Sequence, residues 1–210
     1  MGKHPIADSM SRTEFRRHLD FQIISDWIEA DSRVLDLGCG RGILLEHLQR
    51  AKNVTGVGVD SDPAKILGCV KRGVSAYKGD INPFLGQFPD NFFDWVVCSR
   101  TLPELPQPAR MIKESLRVGR RLAMGFVNHG YWLNRWNMIR YGHRAINEVF
   151  PRAWHQSNPS NPVSVRDFES FCQNQSYDIN RAVYLRGNWK SHCSVWPNFF
   201  AGYVLYDISR

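Results

Sequence analysis

No apolar run in this chain approaches the roughly 20 residues that a membrane-spanning helix needs. The opening residues, Met1-Gly2-Lys3-His4-Pro5, hold neither an apolar core nor a small-residue cleavage site, which argues against a secretory signal. Ile6 stands where N-myristoylation wants Ser or Thr. Cysteine is sparse and poorly spaced for cross-linking: Cys39, Cys69, Cys98, Cys172 and Cys193 form no Cys-x-x-Cys pair. An odd, scattered set of this kind gives neither a disulfide framework nor a zinc pattern, so no metal is expected. A reduced, cytoplasmic setting is the reading that follows. Cys39, Cys69 and Cys98 fall in or beside predicted core elements and read as small hydrophobes.

Acidic residues are scarce over one stretch. Between Arg110 and Arg152 stand nine Lys or Arg residues against Glu114 and Glu148 alone, a local excess equal to the +7 of the whole chain. Such a zone suits an anionic substrate, an acidic partner surface or nucleic acid. The length of 210 residues, with 43% hydrophobic and 22% charged side chains, fits one globular domain with a real core. Residues 1–20 read as a polar N-terminal arm, and residues 21–210 as a single domain.

From Phe21 onward, helical and strand patterns alternate. Phe21, Ile23, Ile24, Trp27 and Ile28 recur at helical spacing. Arg33-Val34-Leu35-Asp36-Leu37 is a short buried strand, followed by a helix marked by Ile43, Leu44, His47 and Leu48. Val54–Val59 is a second strand. Asp62-Pro63 caps and starts a helix that Gly73 ends. Strands follow at Val74–Lys78 and Phe93–Cys98, then a helix at Pro108–Val118 and a strand at Arg121–Val127. This is the pattern of βαβ units with a parallel sheet. After a helix at Val165–Asn174, strands at Arg181–Arg186 and Phe199–Ile208 have no helix between them, so they should pair antiparallel. Seven strands, mostly parallel and closed by an antiparallel pair, predict an α/β, Rossmann-like class I methyltransferase fold.

The run Asp36-Leu37-Gly38-Cys39-Gly40-Arg41-Gly42 carries the chemistry. A strand enters Gly-x-Gly-x-Gly and a helix leaves it, so a ligand can lie against bare backbone at a helix N-terminus. Asp60 ends the next strand about 20 residues on, where an acid accepts ribose hydroxyls. Its alternative is a helix cap, which Asp62 suits better. Gly79-Asp80-Ile81 ends the third strand. Asp80 is expected at the adenine amino group and Ile81 on the ring, against a plain turn role. An inward Asp36 needs hydrogen-bond partners; a ligand ammonium would serve, as would bracing of the loop. Ser61 and Ser99, beside the second and fourth strand ends, complete the expected cofactor contacts with Gly38, Cys39 and Gly40. NAD would want a further glycine deeper in the helix, where Leu44 stands, so the loop favours S-adenosylmethionine (SAM).

Several stretches together resemble the methionine biosynthesis protein MetW family: Phe21–Ile28, Ser32–Gly42, Gly68–Val74, Gly79–Ile81, Phe88–Asp94, Ser99–Leu102, Leu116–Arg121, Val165–Glu169 and Trp196–Phe200. The resemblance runs from about residue 21 to the end. It implies SAM binding and a link to methionine synthesis, with a homoserine O-acyltransferase as partner. Departures from the family pattern fall at Arg100, at residues 126–132 and at residues 161–164, all around the expected substrate pocket.

Methyl transfer is mostly positioning, with a base needed only for a protonated nucleophile. No Asn/Asp-Pro-Pro-Tyr motif follows the fourth strand. Arg100 there is a candidate clamp for a carboxylate or phosphate, against a surface salt bridge. His129, past the fifth strand, is the candidate base, against a hydrogen-bonded loop histidine. Residues 128–162 form the expected lid and substrate region. In it Trp132, Trp136 and Ile139 share a helix face that reads more readily as core or lid packing than as a substrate cage. Three functions remain open. One is methyl transfer to a small, anionic substrate. Another is a non-catalytic SAM-binding partner of homoserine O-acyltransferase. The third and weakest is an RNA methyltransferase, since no added RNA-binding module is evident and nucleic acid is an unlikely partner.

Overall fold

Proline and capping side chains set where several helices begin. A computed structural model of the chain describes residues 19–144, 146–156 and 161–210. Most of the expected N-terminal arm therefore lies outside the described residues; residues 19 and 20 already belong to helix α1, described over 19–27. Strand β1 (Arg33–Leu37) leads to α2 (Ile43–Lys52), β2 (Thr55–Asp60) and α3 (Pro63–Lys71). Asp62 caps α3 by accepting the Ala64 N–H at 2.8 Å, with Pro63 at the first helical position. Then come β3 (Ser75–Lys78), α4 (Ile81–Leu85), β4 (Phe93–Ser99), α5 (Pro108–Val118) and β5 (Gly119–Val127). The last third holds α6 (Trp132–Tyr141), α7 (Val165–Asn174), β6 (Asp178–Arg186), α8 (Pro197–Phe200) and β7 (Ala201–Ser209). A reciprocal pair starts α7: Ser164 Oγ accepts the Asp167 N–H while Asp167 Oδ2 accepts the Ser164 N–H.

The sheet order is β3-β2-β1-β4-β5-β7-β6. The first five strands are parallel, and β7 runs antiparallel between β5 and β6. Alternation along each central strand feeds two cores. In β4, Val96 and Cys98 pack with α4, α5 and α7 on one face, while Trp95 and Val97 pack with α1, α2 and α3 on the other. Because β1 connects outward to β2 on one side and β4 lies on the other, the chain diverges at the carboxyl ends of β1 and β4. A crevice opens there, as it does at such a switch point. All five cysteines are free and buried, as expected of small hydrophobes.

Two expectations need correction, and one short helix gives no sequence signal. Phe199 and Phe200 belong to the turn of α8, because Pro197 favours helical geometry; β7 begins at Ala201. Helix α4 was not read at all, since five residues carry too little periodicity to register. The aromatic face of α6 is not core: Trp136 is 57% and Ile139 82% exposed, and no α6 residue is buried. The helix is held instead by polar contacts, Asn134 Nδ2 to the His129 carbonyl and Arg135 Nε to the Gly130 carbonyl.

Gly125 in β5 faces Tyr203 of β7, where an added Cβ would stand 2.3 Å from Tyr203 Oη and 2.8 Å from Leu205 Cδ2. Tyr203 is fully buried, stacked on Trp189 at 4.1 Å. Gly125→Ala should therefore cost about 1–3 kcal/mol by overpacking and lower the melting temperature by about 2–12 °C. A thermal melt indistinguishable from that of the parent would contradict this packing.

Candidate functional site

The crevice is built around the loop after β1. Gly38, Gly40 and Gly42 all adopt left-handed backbone, with φ of +75°, +58° and +74°. At Gly38 a side chain is doubly excluded, because a Cβ there would lie 2.2 Å from Thr101 Oγ1. Strand β2 ties the loop down. The Val59 carbonyl accepts the N–H groups of Gly38 and Cys39 at 2.8 and 3.1 Å, and Asp60 Oδ2 accepts the Gly40 N–H at 3.1 Å. The other Asp60 oxygen accepts the Asp62 N–H at 3.0 Å, and Lys65 Nζ lies 3.4 Å from Oδ2. Asp60 is thus a brace between loop and helix, although each carboxylate oxygen keeps acceptor capacity beyond these bonds.

The nine residues expected at a cofactor lie along this crevice. Asp36, Gly38, Cys39, Gly40 and Ser99 line one part, and Gly38, Asp60, Ser61, Asp80 and Ile81 line the adjoining part. Thr101 and Glu104 border both. Asp36 is 5% exposed, and no donor among the described residues reaches its carboxyl. Burial, and then the charge of Asp60, push its pKa up to about 7. A carboxyl in the crevice lining that no protein donor reaches offers its acceptors to a cationic or N–H ligand group. Asp80 precedes α4 and its side chain makes no cap bond, so its carboxylate is uncommitted at the rim. Ser99 Oγ lies 3.2 Å from Tyr203 Oη. No cluster of three or more potential metal ligands occurs among the described residues.

The two candidates for catalysis fare differently. Arg100 does line the crevice, but its charge is engaged: Nε and Nη2 lie 3.0 and 2.8 Å from Asp20 Oδ2. Its guanidinium also covers the Trp189 and Tyr203 rings at 4.5 and 5.6 Å. The Asp20 side chain is 1% exposed, so this is a buried ion pair rather than a free clamp. His129 is absent from the crevice lining. Its Nδ1 accepts the Val163 N–H at 3.4 Å and its ring sits 4.7 Å from that of Phe150. Burial, then the nearby Arg144, hold its pKa below the usual histidine range. The hydrogen-bonded loop histidine is therefore the reading the structure supports. Sequence reasoning missed Arg41, Lys65 and Arg152, which also line the crevice. Arg41 sits inside the glycine motif itself; Arg152 comes from a loop far along the chain and gives no local signal.

The sheet order, the inserted antiparallel β7 and the glycine loop at the switch point define the class I SAM-dependent methyltransferase fold. A SAM-dependent methyltransferase from Archaeoglobus fulgidus superimposes with a TM-score of 0.66 over 95% of this chain and 94% of its own, at 15% identity. One from Thermotoga maritima, described as a possible histamine N-methyltransferase, gives 0.64 over 98% and 95%, also at 15% identity. Within that fold, residues 18–208 match the profile of the family described as Methionine biosynthesis protein MetW, and the chain belongs to that family. A relative from Rhodopirellula baltica, named bifunctional methionine biosynthesis protein MetXA/MetW, is 30% identical over 164 residues, 73% of this chain and 26% of the relative. The ubiquinone biosynthesis O-methyltransferase of Aeromonas salmonicida is 29% identical over 144 residues, 62% of this chain and 59% of its own. The matched region thus spans about a quarter of the bifunctional protein and under two thirds of the ubiquinone enzyme.

Removing Arg100 takes from the buried Asp20 carboxylate the guanidinium 2.8 Å away. Arg100→Ala is expected to cost about 3 kcal/mol, the lower end for breaking a buried pair because the arginine is partly exposed. Asp20→Asn in the same chain should recover part of that loss in chemical denaturation. Equal stability of the single and double variants would show that the pair does not hold α1 in place.

Proposed function

We propose that this chain binds SAM along the crevice and transfers its methyl group to a small, anionic acceptor in methionine biosynthesis. The observation that carries the reading is the Asp36 carboxyl, buried beside the glycine loop with no protein donor among the described residues. An α-ammonium group would supply the missing donor. Beyond Asp36, the bare backbone of Gly38 and Gly40 leaves room for the chain of the ligand, Asp60 faces the position of a ribose, and Asp80 with Ile81 that of the adenine. Bound there, SAM contributes a methyl group activated on sulfur. The residues of the chain contribute placement: a braced loop fixes the cofactor, and the carboxyl end of β4 borders the space in front of it.

A second reading has its own support. The Rhodopirellula relative joins a MetXA portion and a MetW portion in one protein. By that analogy, this chain acts as a SAM-binding partner of a homoserine O-acyltransferase, and α6, with its exposed Trp136, Ile139 and Tyr141 beside Arg140, is available for contact. Turnover of labelled SAM by the pure chain with small carboxylic acids favours methyl transfer. Turnover only of the acyltransferase, and only when this chain is present, favours the partner role.

Two outcomes test the cofactor site. The Asp80 side chain makes no hydrogen bond among the described residues, so Asp80→Ala should weaken SAM binding by about 1–2 kcal/mol in calorimetry. It should leave the melting temperature of the unliganded protein unchanged. An unaltered affinity would remove Asp80 from the site.

The second outcome concerns pH. The folded pKa of Asp36 lies near 7, above its ordinary 3.8. Its stability contribution is therefore fully present below the ordinary value and is lost as pH rises through about 7. An ammonium ligand needs the ionised carboxylate, so SAM affinity should climb as pH rises from 5.5 to about 7, by up to about tenfold per unit, with proton release on binding. Asp36→Asn should bind SAM weakly with no such slope. A flat profile in the unaltered chain would take Asp36 out of ligand contact.

A further inference from the structure

Four cations line the part of the crevice that holds Asp36: Arg41, Lys65, Arg100 and Arg152. Two of them are committed, Lys65 to Asp60 at 3.4 Å and Arg100 to Asp20. Arg41 and Arg152 make no hydrogen bond or ion pair among the described residues. Arg41 is nonetheless seated. Its stem lies over Gly68 of α3, where an added Cβ would meet Arg41 Cγ at 3.0 Å and Cβ at 3.1 Å. A glycine inside a helix costs about 1 kcal/mol relative to alanine, and here it gives the arginine stem its place. The backbone under Arg41 is fixed as well, since Gly40 and Gly42 on either side are both left-handed. Helix α2 starts next to it with no side-chain cap, so its positive end adds to the same field. Ile43 and Leu44 from its first turn line the same space.

We propose that Arg41 and Arg152 form an anion-binding pair at the mouth of this crevice, and that its ligand is the carboxylate or phosphate of the methyl acceptor. The proposal rests on the reading of the crevice as a SAM site. Guanidinium groups present paired N–H donors that match a carboxylate or phosphate, and two of them suit a doubly charged anion. The committed cations explain why Arg100, nearest to β4, does not take this part. The carboxylate of the cofactor is the other source of the same chemistry, and the experiment separates the two.

Protein saturated with S-adenosylhomocysteine is titrated with succinate and with inorganic phosphate in low-salt buffer. The expected result is a dissociation constant of about 1–10 mM for at least one of them, weakened roughly tenfold or more in Arg41→Ala and in Arg152→Ala. Gly68→Ala should also weaken the anion while keeping or raising the melting temperature, because it displaces Arg41 and improves α3. Arg152→Ala, which lies outside the glycine loop, should bind S-adenosylhomocysteine and decarboxylated SAM each within about threefold of the unaltered chain. Absence of anion binding in the unaltered chain overturns the proposal. So does a loss confined to the carboxylate-bearing cofactor, which would assign the pair to the cofactor instead. Failure of the unaltered chain to bind S-adenosylhomocysteine at all overturns the SAM reading and this proposal with it, a result distinct from either.

Discussion

The bond network from the end of β2 to the glycine loop is the constraint on which the site depends. Three successive N–H groups, of Gly38, Cys39 and Gly40, point to the Val59 carbonyl and the Asp60 carboxylate. They can do so only because the glycines take left-handed backbone, and because no Cβ intrudes on Thr101. The same Asp60 carboxylate accepts the Asp62 N–H, so the loop, the strand end and the start of α3 share one carboxylate. Asp36, one strand over, is buried and sits near that second negative charge, and its raised pKa follows from burial first and the Asp60 charge second. The electrostatic character of the crevice is thus a by-product of how the loop is held.

Charge along the chain is sorted into two uses. Part of the basic zone between residues 110 and 152 is structural. Arg117 joins Asp90, Glu114 and the carbonyls of Leu85 and Phe88, while Arg121 pairs with the fully buried Asp207 and covers Trp95 at 4.6 Å. Each of these arginines is taken up by acidic or carbonyl partners, and neither contributes an unpaired surface charge. Arg140 and Arg152, in contrast, lie exposed on the side carrying α6 and the crevice mouth. A count of charges along the sequence could not separate these groups, because the partner acids lie as far as 86 residues away.

What could be read locally was read well. The cap of α3, the limits of α5 and α7 and the strand into the glycine loop all depend on neighbours within a few residues, and they stand where the residue types put them. The alignment of Asp36, Asp60 and Asp80 along one crevice was legible too, since parallel strands of known order bring their carboxyl ends together. Three things were not legible. Asp60 acts as a loop brace through a contact spanning 20 residues. Arg100 is drawn onto Asp20 across 80 residues. The stripe Trp132, Trp136 and Ile139 has helical spacing, but spacing alone does not say whether anything covers it. In each case the deciding partner is remote in sequence.

Strand β7 shows how far such remote contacts reach. Inserted antiparallel between β5 and β6, it carries the buried Tyr203 behind the crevice lining, where its hydroxyl lies 3.2 Å from Ser99 Oγ. Its ring stacks 4.1 Å from that of Trp189 and lies under the Arg100 guanidinium. Gly125 on β5 makes the room for it. Arg100 in turn holds Asp20 at the start of α1, and its own backbone takes φ +64°, a conformation a non-glycine residue adopts only when its surroundings enforce it. One buried group therefore joins the first helix, the end of the fourth strand, the loop after β6 and the last strand, directly beside the cofactor crevice. Burial raises the Tyr203 pKa, with the Asp20 charge adding to the effect, so the phenol stays protonated beside the Ser99 hydroxyl. Polar groups of this kind in a low-dielectric setting are costly unless each is satisfied. The crevice accordingly inherits its shape from both ends of the chain, although its ligand-facing residues come from the first half together with Arg152.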